Sequence, residues 1–422
     1  MRKSVPLLVS LALLLNVLAG CGKNEVETSA NDNTKKRKGN VTITYALWSP
    51  DQEPGIRQVL DQFEADNPGI KVKMENTPWD EYWTKLEAAA TGGVAPDVFW
   101  MHANQFVKYA SNGILLDVGN LMNTDDYPSS LSELYQYDGV QYAVPKDFDT
   151  VALFYNTKLF DDKGIPYPDD TWDYDKLLMV AKQMTDQEKG IYGFGAPNTN
   201  HQGYYNLIYQ NGGYVIADDK THSGYNQPEA IAAVQFYKDL IDKHQVSPTV
   251  EQFSDTDAMA LFAADKLAML FLGSWKMSAL IKNEDIKDHF NMTVLPEWQE
   301  RATIYNGLGH SISSTTEHPE EAKKLIEFLA SKEAQDMLSK TGIAISAFHD
   351  TQQGWIDYYS DYNTKAIVDM IAYGVPLPSS KTKLKWEQIE RDVMRKIYSG
   401  EVTVEDGMKL IADQVDNHLA TE

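Results

Sequence analysis

The sequence predicts an α/β protein of two lobes, each built on a mostly parallel central sheet, with strands that cross from one lobe to the other. Strand-like and helix-like segments alternate from Val41 to Met101 in the order βαβαβ, which is typical of a parallel sheet covered by helices. A second αβ pattern begins at Thr171-Trp172-Asp173. Between the two, the stretch Tyr137 to Trp172 carries two extended apolar segments, and we interpret it as the first crossing.

The first lobe is predicted from period-2 and period-3.6 patterns of apolar residues. Asn67-Pro68-Gly69 and Gly92-Gly93 supply the breaks after its two helices, because both combinations stop a helix. Its predicted elements are a strand at Val41–Trp48, a helix with an apolar stripe at 56–63, a strand at Ile70–Met74, a helix at Tyr82–Ala90 and a strand at Asp97–Met101.

Length and charge limit the class of protein. The 422 residues allow two to three domains, and 43% hydrophobic content is enough for sizeable cores. The formal net charge of −23 argues against a nucleic-acid partner, because phosphate backbones are bound through basic surface.

The N-terminus is predicted to be a signal peptide over residues 1–20. Arg2 and Lys3 precede an apolar run from Val5 to Val17, which is too short to span a bilayer comfortably. The chain's single cysteine, Cys21, follows Leu18-Ala19-Gly20, and this resembles the lipobox of bacterial lipoproteins, although an ordinary signal peptide with an incidental cysteine is the alternative. We therefore expect a lipidated Cys21, a polar tether to residue 40, and a protein anchored at the extracytoplasmic face of the cell membrane.

Aromatic and polar residues follow the predicted strands of the first lobe. In a parallel sheet, ligands bind beyond the carboxyl ends of the strands. A pyranose offers apolar faces that pack on aromatic rings and hydroxyls that need hydrogen-bond partners, so this mixture favours a carbohydrate over a phosphorylated ligand. The candidate ligand-binding residues here are Trp48, Ser49, Glu75, Trp100, His102 and Asn104.

The first crossing carries two carboxylates, Asp147 and Asp149. On a strand they would point to the same side about 7 Å apart, a separation found among inverting glycosidases. An extracellular glycoside-cleaving enzyme is thus one alternative, but glycosidase carboxylates flank the scissile bond, whereas these two would approach from one side. We expect Asp147 to hold ligand hydroxyls and Asp149 to be a second contact or a hinge hydrogen-bonder.

Two further crossings are predicted in the second half of the chain. The glycine-punctuated stretch Asn306 to Ser313, with candidates Gly309 and His310, is the second, and Gly342-Ile343-Ala344-Ile345 is the third. Trp275 follows an apolar strand run, Leu267 to Leu272. The predicted division is 41–145 and 309–344 for lobe I, and 146–308 and 345–422 for lobe II.

The chain resembles family 1 extracellular solute-binding proteins, the maltose and multiple-sugar branch of the binding lipoproteins that serve ABC importers. The similarity extends from about Val41 to Leu419. It rests on five motifs in the family's order: Pro96-Asp97-Val98-Phe99-Trp100 with His102, Tyr142 to Asn156, Asn211-Gly212-Gly213, Gly273-Ser274-Trp275, and His318 to Leu329.

The resemblance implies a type II periplasmic-binding-protein-like fold in which a sugar, expected to be an oligosaccharide, is held between lobes and delivered to ABC permease subunits with a cytoplasmic ATPase. It implicates Trp100, His102, Asp147, Trp275 and Trp386 in ligand binding; the apolar stripe that Trp386 shares with Ile389 and Val393 would by itself place it in the core. The region before Asn211 lines the cleft in relatives, which adds Gln202. A monomer is expected.

Other chemistries have little support in the sequence. Phosphate-loop, dinucleotide-binding, zinc-protease and nucleophile-elbow motifs do not occur, and the nine histidines are dispersed. We predict no catalytic residue, no cofactor and no metal ligand. A binding protein for a non-sugar solute such as a metal, peptide or amino acid remains a further alternative.

Overall fold

The computed structural model describes residues 40–422. The predicted signal peptide, the Cys21 lipidation site and the predicted tether up to residue 39 lie outside the described residues.

The strands are β1 Val41–Leu47, β2 Ile70–Asn76, β3 Val98–His102, β4 Gln136–Tyr137, β5 Val140–Gln141, β6 Val144–Asn156, β7 Met269–Gly273, β8 Phe290–Thr293, β9 Thr303–Ile312, β10 Ile345–Ser346 and β11 Gly374–Pro376. The α-helices are α1 Glu53–Asp66, α2 Trp79–Thr91, α3 Ala103–Ser111, α4 Ser129–Ser132, α5 Thr157–Lys163, α6 Tyr174–Met184, α7 Tyr205–Gln210, α8 Pro228–Asp242, α9 Val250–Asp255, α10 Ala258–Ala263, α11 Met277–Leu280, α12 Pro319–Leu329, α13 Lys332–Lys340, α14 Gln353–Tyr358, α15 Thr364–Asp369, α16 Lys383–Tyr398 and α17 Val404–Leu419. A π-helical turn at Asn200–Tyr204 precedes α7.

Local sequence explains many of these boundaries. The side chain of Asp173 accepts a hydrogen bond from the Lys176 amide at the start of α6, and Thr403 caps α17 in the same way, because side-chain oxygens satisfy the free amides of a first turn. Asp138 and Gly139 both have positive φ, 50° and 78°, which is the backbone that a two-residue hairpin between β4 and β5 requires.

The main sheet has nine strands in one continuous arrangement. Its central order is β10-β6-β9-β3-β1-β2, with β11 paired to β9 and with β7 and β8 paired to β6. Among the pairings between these nine strands, β1–β2, β1–β3 and β9–β11 are parallel and the others are antiparallel. The expectation of mostly parallel sheets is therefore wrong, because the crossing strands β6 and β9 run antiparallel to each other and to most of their neighbours.

Strand β6 is shared by both ends of this sheet. Its first half pairs with β9 and β10, and its second half pairs with β7 and β8. Because side chains alternate between faces, Ala152 and Phe154 pack into one buried cluster, while Val151, Leu153 and Tyr155 pack into another. A strand with both faces covered explains why its apolar run is nearly continuous.

The buried clusters do not divide at the predicted lobe limits. One of them joins Ile43 of the predicted first lobe to Phe290 and Ile367 of the predicted second lobe. The lobe ranges thus remain a prediction. Within residues 40–422, none of the helices is long and apolar enough to cross a membrane.

Shortening Leu153 to alanine tests the importance of the shared strand. The side chain is fully buried against β7 and β8, so we expect Leu153→Ala to lower the free energy of unfolding by about 2–5 kcal/mol. Urea unfolding followed by circular dichroism measures the change. Leu410, which is 38% exposed on α17, is the matched control, and Leu410→Ala should change stability by less than about 0.5 kcal/mol. Equal effects of the two substitutions would contradict this assignment.

Candidate functional site

A cavity of about 490 Å³ lies where the ends of β1 and β3 face the crossing strand β6 and the segment after β7. Its volume falls within the range typical of small-molecule sites, about 300–1,000 Å³. Seven of the thirteen predicted ligand-binding residues line it: Trp48, Ser49, His102, Asn104, Asp147, Asp149 and Trp275. The lining residues that were not among the predicted ligand contacts include Gln52, Trp79, Asn200, His201, Lys276, Trp355, Leu377 and Glu387.

Aromatic rings form one wall of the cavity. The rings of Trp48 and Trp79 meet edge to face with centroids 5.1 Å apart, and Trp79 contacts His102 at 5.2 Å. Trp48 also packs on Trp83 and on the buried Trp100, which holds it rigidly in place. Trp79 is 38% exposed, so this wall offers an accessible apolar surface.

Trp275 and His201 lie on the opposite wall, with ring centroids 5.1 Å apart and planes at 32°. Gly273 ends β7 directly beneath Trp275, where a Cβ atom would overlap the indole ring. The Gly273 amide donates to Oε1 of Gln202 over 3.0 Å. Gln202 therefore ties the end of β7 to the His201 segment, although it does not itself line the cavity.

Asp147 is engaged by protein groups at the base of the cavity. Its Oδ1 accepts a hydrogen bond from the Leu308 amide at 3.0 Å, and its Oδ2 is paired with the fully buried ammonium of Lys146. Lys146 also donates to Oε1 of Gln52 at 3.0 Å and lies 4.3 Å from the Trp100 ring centroid. The buried cation thus has an ion-pair, a hydrogen-bond and a cation–π partner.

Asp149 differs from Asp147 in having a free oxygen. Its Oδ1 is buried and has no hydrogen-bond partner among the described residues, and Nε2 of His201 lies 3.6 Å from it. Burial, followed by the repulsion of Asp147, raises the pKa of Asp149 well above its usual range. This carboxyl group is suited to exchange hydrogen bonds with a ligand.

The two cavity histidines are neutral. Burial lowers the pKa of His102 and of His201 to about 3. Nδ1 of His102 accepts from the Asn104 amide, so the ring proton resides on Nε2, which faces the Asn306 side-chain amide at 2.7 Å. Because that Nε2 donates, the amide oxygen of Asn306 is the atom that suits this contact.

Three cavity-lining residues carry buried polar atoms that lack a partner within the described part of the chain: Asn104 Oδ1, Asp149 Oδ1 and His201 Nε2. Buried polar groups are rarely left unpaired, since each costs about 1–3 kcal/mol. Their convergence on one cavity provides both donor and acceptor capacity between two aromatic walls. Such a site can bind a small molecule that has apolar faces and polar edges.

Three predicted candidates belong to the core instead. Trp100 is fully buried and donates its indole N–H to the Tyr45 hydroxyl at 2.7 Å, and the same hydroxyl meets Nδ1 of buried His310 at 3.0 Å. Trp386 is also fully buried, and its indole N–H donates to Ser380 Oγ. These placements correct the expectation that the three residues face the cleft, because such rings present no surface to a ligand.

Glu75 and Gly309 also lie away from the cavity, as does Gln202. Glu75 is ion-paired with Lys73 and Lys85, which lowers its pKa. Gly309 is buried where a Cβ would press on Ala143 and Tyr135, so it is needed for close packing. None of the three lines the cavity.

Trp79, Asn200 and His201 line the cavity but were not among the predicted ligand-binding residues. Trp79 lies three residues after the end of β2, and Trp48 was selected because it follows the end of β1. The same rule could therefore have selected Trp79. His201 and Asn200 belong to an irregular π-helical turn, which has no simple periodic signature. Among residues 40–422, no group of three or more His, Cys, Asp or Glu side chains could hold a metal ion.

The model of the bacterial extracellular solute-binding protein family matches residues 49–336. The chain belongs to this family. The resemblance that the five motifs carry is thereby confirmed. The family's members bind solutes outside the cell, in agreement with a cavity built to hold a small molecule.

Curated relatives and solved structures extend the comparison. The multiple sugar-binding protein of Streptococcus mutans is 25% identical over 346 residues, covering 79% of each chain. The maltodextrin-binding protein of Bacillus subtilis is 26% identical, covering 74% of this chain and 73% of its own. An ABC substrate-binding protein from Listeria monocytogenes in complex with cycloalternan superposes with a TM-score of 0.83 at 25% identity, covering 90% of this chain and 99% of its own. The type II periplasmic-binding-protein-like fold is confirmed by such neighbours.

Removing the ammonium of Lys146 tests the ion pair at the base of the cavity. Lys146→Met leaves Asp147 buried beside an apolar group, so we expect a loss of about 3–5 kcal/mol in the free energy of unfolding. Adding Asp147→Asn to that variant removes the unpaired charge and should recover part of the loss. Urea unfolding of the two single variants and the double variant measures the coupling. Strict additivity would mean that the two groups do not depend on each other.

Proposed function

We propose that the protein captures a sugar, most suitably an oligosaccharide, in the cavity and passes it unaltered to an ABC permease. The observation that supports this most directly is the pair of aromatic walls with unpartnered polar atoms between them. Sugar rings match this arrangement because their C–H faces pack on aromatic rings while their hydroxyls satisfy buried donors and acceptors. Relatives named for multiple sugars and maltodextrins support the same ligand class.

Within the cavity we assign stacking to Trp275 and Trp79, and hydrogen bonding to Asp149, Asn104 and His201. This reverses the sequence-based ranking of the two aspartates. Asp147 is already engaged on both oxygens, whereas Asp149 has an oxygen free. We therefore give Asp147 the role of an orienting group and Asp149 that of a direct ligand contact.

Hydrolysis is the weaker candidate. A retaining or inverting glycosidase needs two carboxyl groups that act on opposite sides of the scissile bond. Asp147 and Asp149 approach from one strand, and Lys146 holds Asp147 in an ion pair. These contacts favour binding without cleavage, as do relatives described as binding proteins.

The proposal extends to the protein's place in the cell. A lipid on Cys21 would hold the protein at the extracytoplasmic face of the membrane, with residues 22–40 as a tether. Its partners would be permease subunits driven by a cytoplasmic ATPase, and it would act as a monomer. A single membrane-tethered copy meets its permease without needing a high concentration in solution.

Replacing Trp275 tests the sugar-binding assignment. We expect wild-type protein to bind at least one sugar from a panel of maltodextrins, galacto-oligosaccharides and monosaccharides, and Trp275→Ala to raise its Kd by about 10–100-fold through loss of a stacked ring. Isothermal titration calorimetry measures both values, and chromatography should recover the sugar intact.

Trp298 provides the matched control, since it packs against Tyr174 and Phe236 away from the cavity. Trp298→Ala should leave the Kd unchanged. An unaltered Kd in Trp275→Ala would remove this ring from the site, and hydrolysis products in the recovered sugar would favour the enzyme.

Closure of the two proposed lobes, 41–145 with 309–344 and 146–308 with 345–422, is a further expectation. A ligand that contacts both walls favours the closed conformation. Small-angle scattering should show a smaller radius of gyration at saturating sugar than without sugar, and Trp275→Ala at the same sugar concentration should show a smaller decrease. An unchanged radius at saturation would argue against a hinge.

A further inference from the structure

The π-helical turn Asn200–Tyr204 brings Asn200 and His201 to the cavity. The turn is irregular: Gly203 has φ −123° and ψ −117°, outside the helical region. The Asn206 side chain donates to the carbonyls of His201 and Gly203 and thereby satisfies part of the displaced backbone. Insertions of this kind are frequently found at functional sites, and they need supporting contacts to persist.

Glu390 of α16 provides those contacts from behind the turn. The residue is fully buried. Its Oε2 accepts from the Tyr205 hydroxyl at 2.8 Å and from Asn200 Nδ2 at 3.3 Å, and its Oε1 accepts from the Tyr204 hydroxyl at 3.0 Å. These three donors belong to residues 200–205, so one carboxyl group is hydrogen-bonded to both ends of the turn.

We infer that Glu390 is a positioning residue of the binding site, which holds the Asn200–Tyr204 turn so that Asn200 and His201 face the sugar. The inference rests on the proposed function of the cavity. Glu390 does not line the cavity, and it acts through Asn200, which it contacts directly. Among the described residues, no cationic side chain lies within hydrogen-bond distance of this carboxyl group. The stability of the turn therefore depends on whether Glu390 is neutral or charged.

The surroundings of Glu390 favour its neutral form. Burial, the largest cause, raises its pKa to about 7, although the hydrogen bonds from the Tyr205, Tyr225 and Tyr204 hydroxyls lower it. The Glu387 carboxylate, one turn away on α16, contributes to the rise. The Lys383 ammonium opposes this but is bound to the Pro378 carbonyl. The other titratable or charged groups facing this region are Tyr204, Tyr205, Tyr225, Tyr398 and Arg391, and Asp149 and His201 on the cavity side.

The direction of the pH effect follows from this shift. When the Asn200–Tyr204 turn is in place (the closed turn), Glu390 is buried and has a pKa of about 7. When the turn detaches from α16, Glu390 is exposed to water and its pKa returns toward the ordinary value of about 4.3. The closed turn is therefore favoured at low pH, and this contribution is lost as the pH rises through about 7. We expect the turn to loosen, and sugar affinity to fall, between pH 6 and pH 8.

Two substitutions distinguish the hydrogen bonds of Glu390 from its negative charge. Glu390→Gln mimics the neutral acid: its carbonyl can accept from Tyr205 and Asn200, and its amide can donate to the Tyr204 oxygen. Glu390→Leu removes every acceptor and leaves those donors unpaired. Asp392→Asn, on the exposed side of the same helix, is the control for loss of a negative charge from α16.

Hydrogen–deuterium exchange of the amides of residues 200–206, expressed as protection factors, tests the inference without any ligand. Wild type should lose about tenfold in protection between pH 6 and pH 8, and Glu390→Gln should lose little. Glu390→Leu should be about tenfold less protected than wild type at pH 6, while the amides of β2 remain unchanged in all variants. Asp392→Asn should behave as wild type.

Tryptophan fluorescence titration with maltotriose as the probe provides the second readout, with Asp149→Asn included because Asp149 can also titrate. The Kd of wild type should rise between pH 6 and pH 8. That of Asp149→Asn should be higher than wild type at each pH, because a ligand contact is altered, but should keep the rise, and that of Glu390→Gln should be flat. If both Glu390 variants kept the wild-type protection factors at residues 200–206 and the wild-type pH dependence of Kd, the positioning role would be overturned. Failure of wild type to bind any sugar would overturn the proposed function instead, and the exchange result would still decide the role of Glu390.

Discussion

The buried ammonium of Lys146 is the constraint on which the arrangement of the site depends. A charge with no exposed surface must find partners inside the protein, and Lys146 finds the Asp147 carboxylate, the Gln52 amide oxygen and the face of Trp100. These groups come from the crossing strand, the loop after β1 and the strand β3. The pair therefore fixes the start of β6 against β3 and the loop after β1. It gives Asp147 a structural role, while Asp149, two residues further along the same strand, faces the cavity.

Much of the fold could be predicted from sequence because its elements have clear local signals. The alternation of β1, the Asn67-Pro68-Gly69 break and the Asp138-Gly139 turn each determine a boundary within a few residues. Strand direction was mispredicted, because β6 and β9 read as ordinary apolar runs and nothing local in them shows which way a neighbour runs. The division into lobes is similarly non-local, since side chains of one strand enter two different buried clusters.

The sequence-based prediction of the site was also right for some residues and wrong for others. Position after a strand correctly brought Trp48, His102 and Trp275 to one cavity. The same rule also selected Trp100, which lies inside β3, two residues before His102, and is fully buried. Trp275 and Trp386 illustrate what sequence leaves undecided. Both tryptophans lie near the start of a helical element. Gly273 leaves space beneath the ring of Trp275, whereas the indole N–H of Trp386 donates a hydrogen bond to Ser380 Oγ within the core.

The electrostatics of the cavity explain how a strongly acidic chain can hold a neutral ligand. Four carboxyl groups line the cavity, and each has its charge compensated or suppressed. Asp147 is paired with Lys146, Asp51 lies 3.7 Å from Lys282, and Glu387 lies 3.6 Å from Arg391; burial raises the pKa of Asp149. With His102 and His201 neutral as well, the interior offers hydrogen-bonding groups without a dominant field. An uncharged polyhydroxylated ligand loses little by entering such a site, because its hydroxyls can exchange hydrogen bonds with these groups.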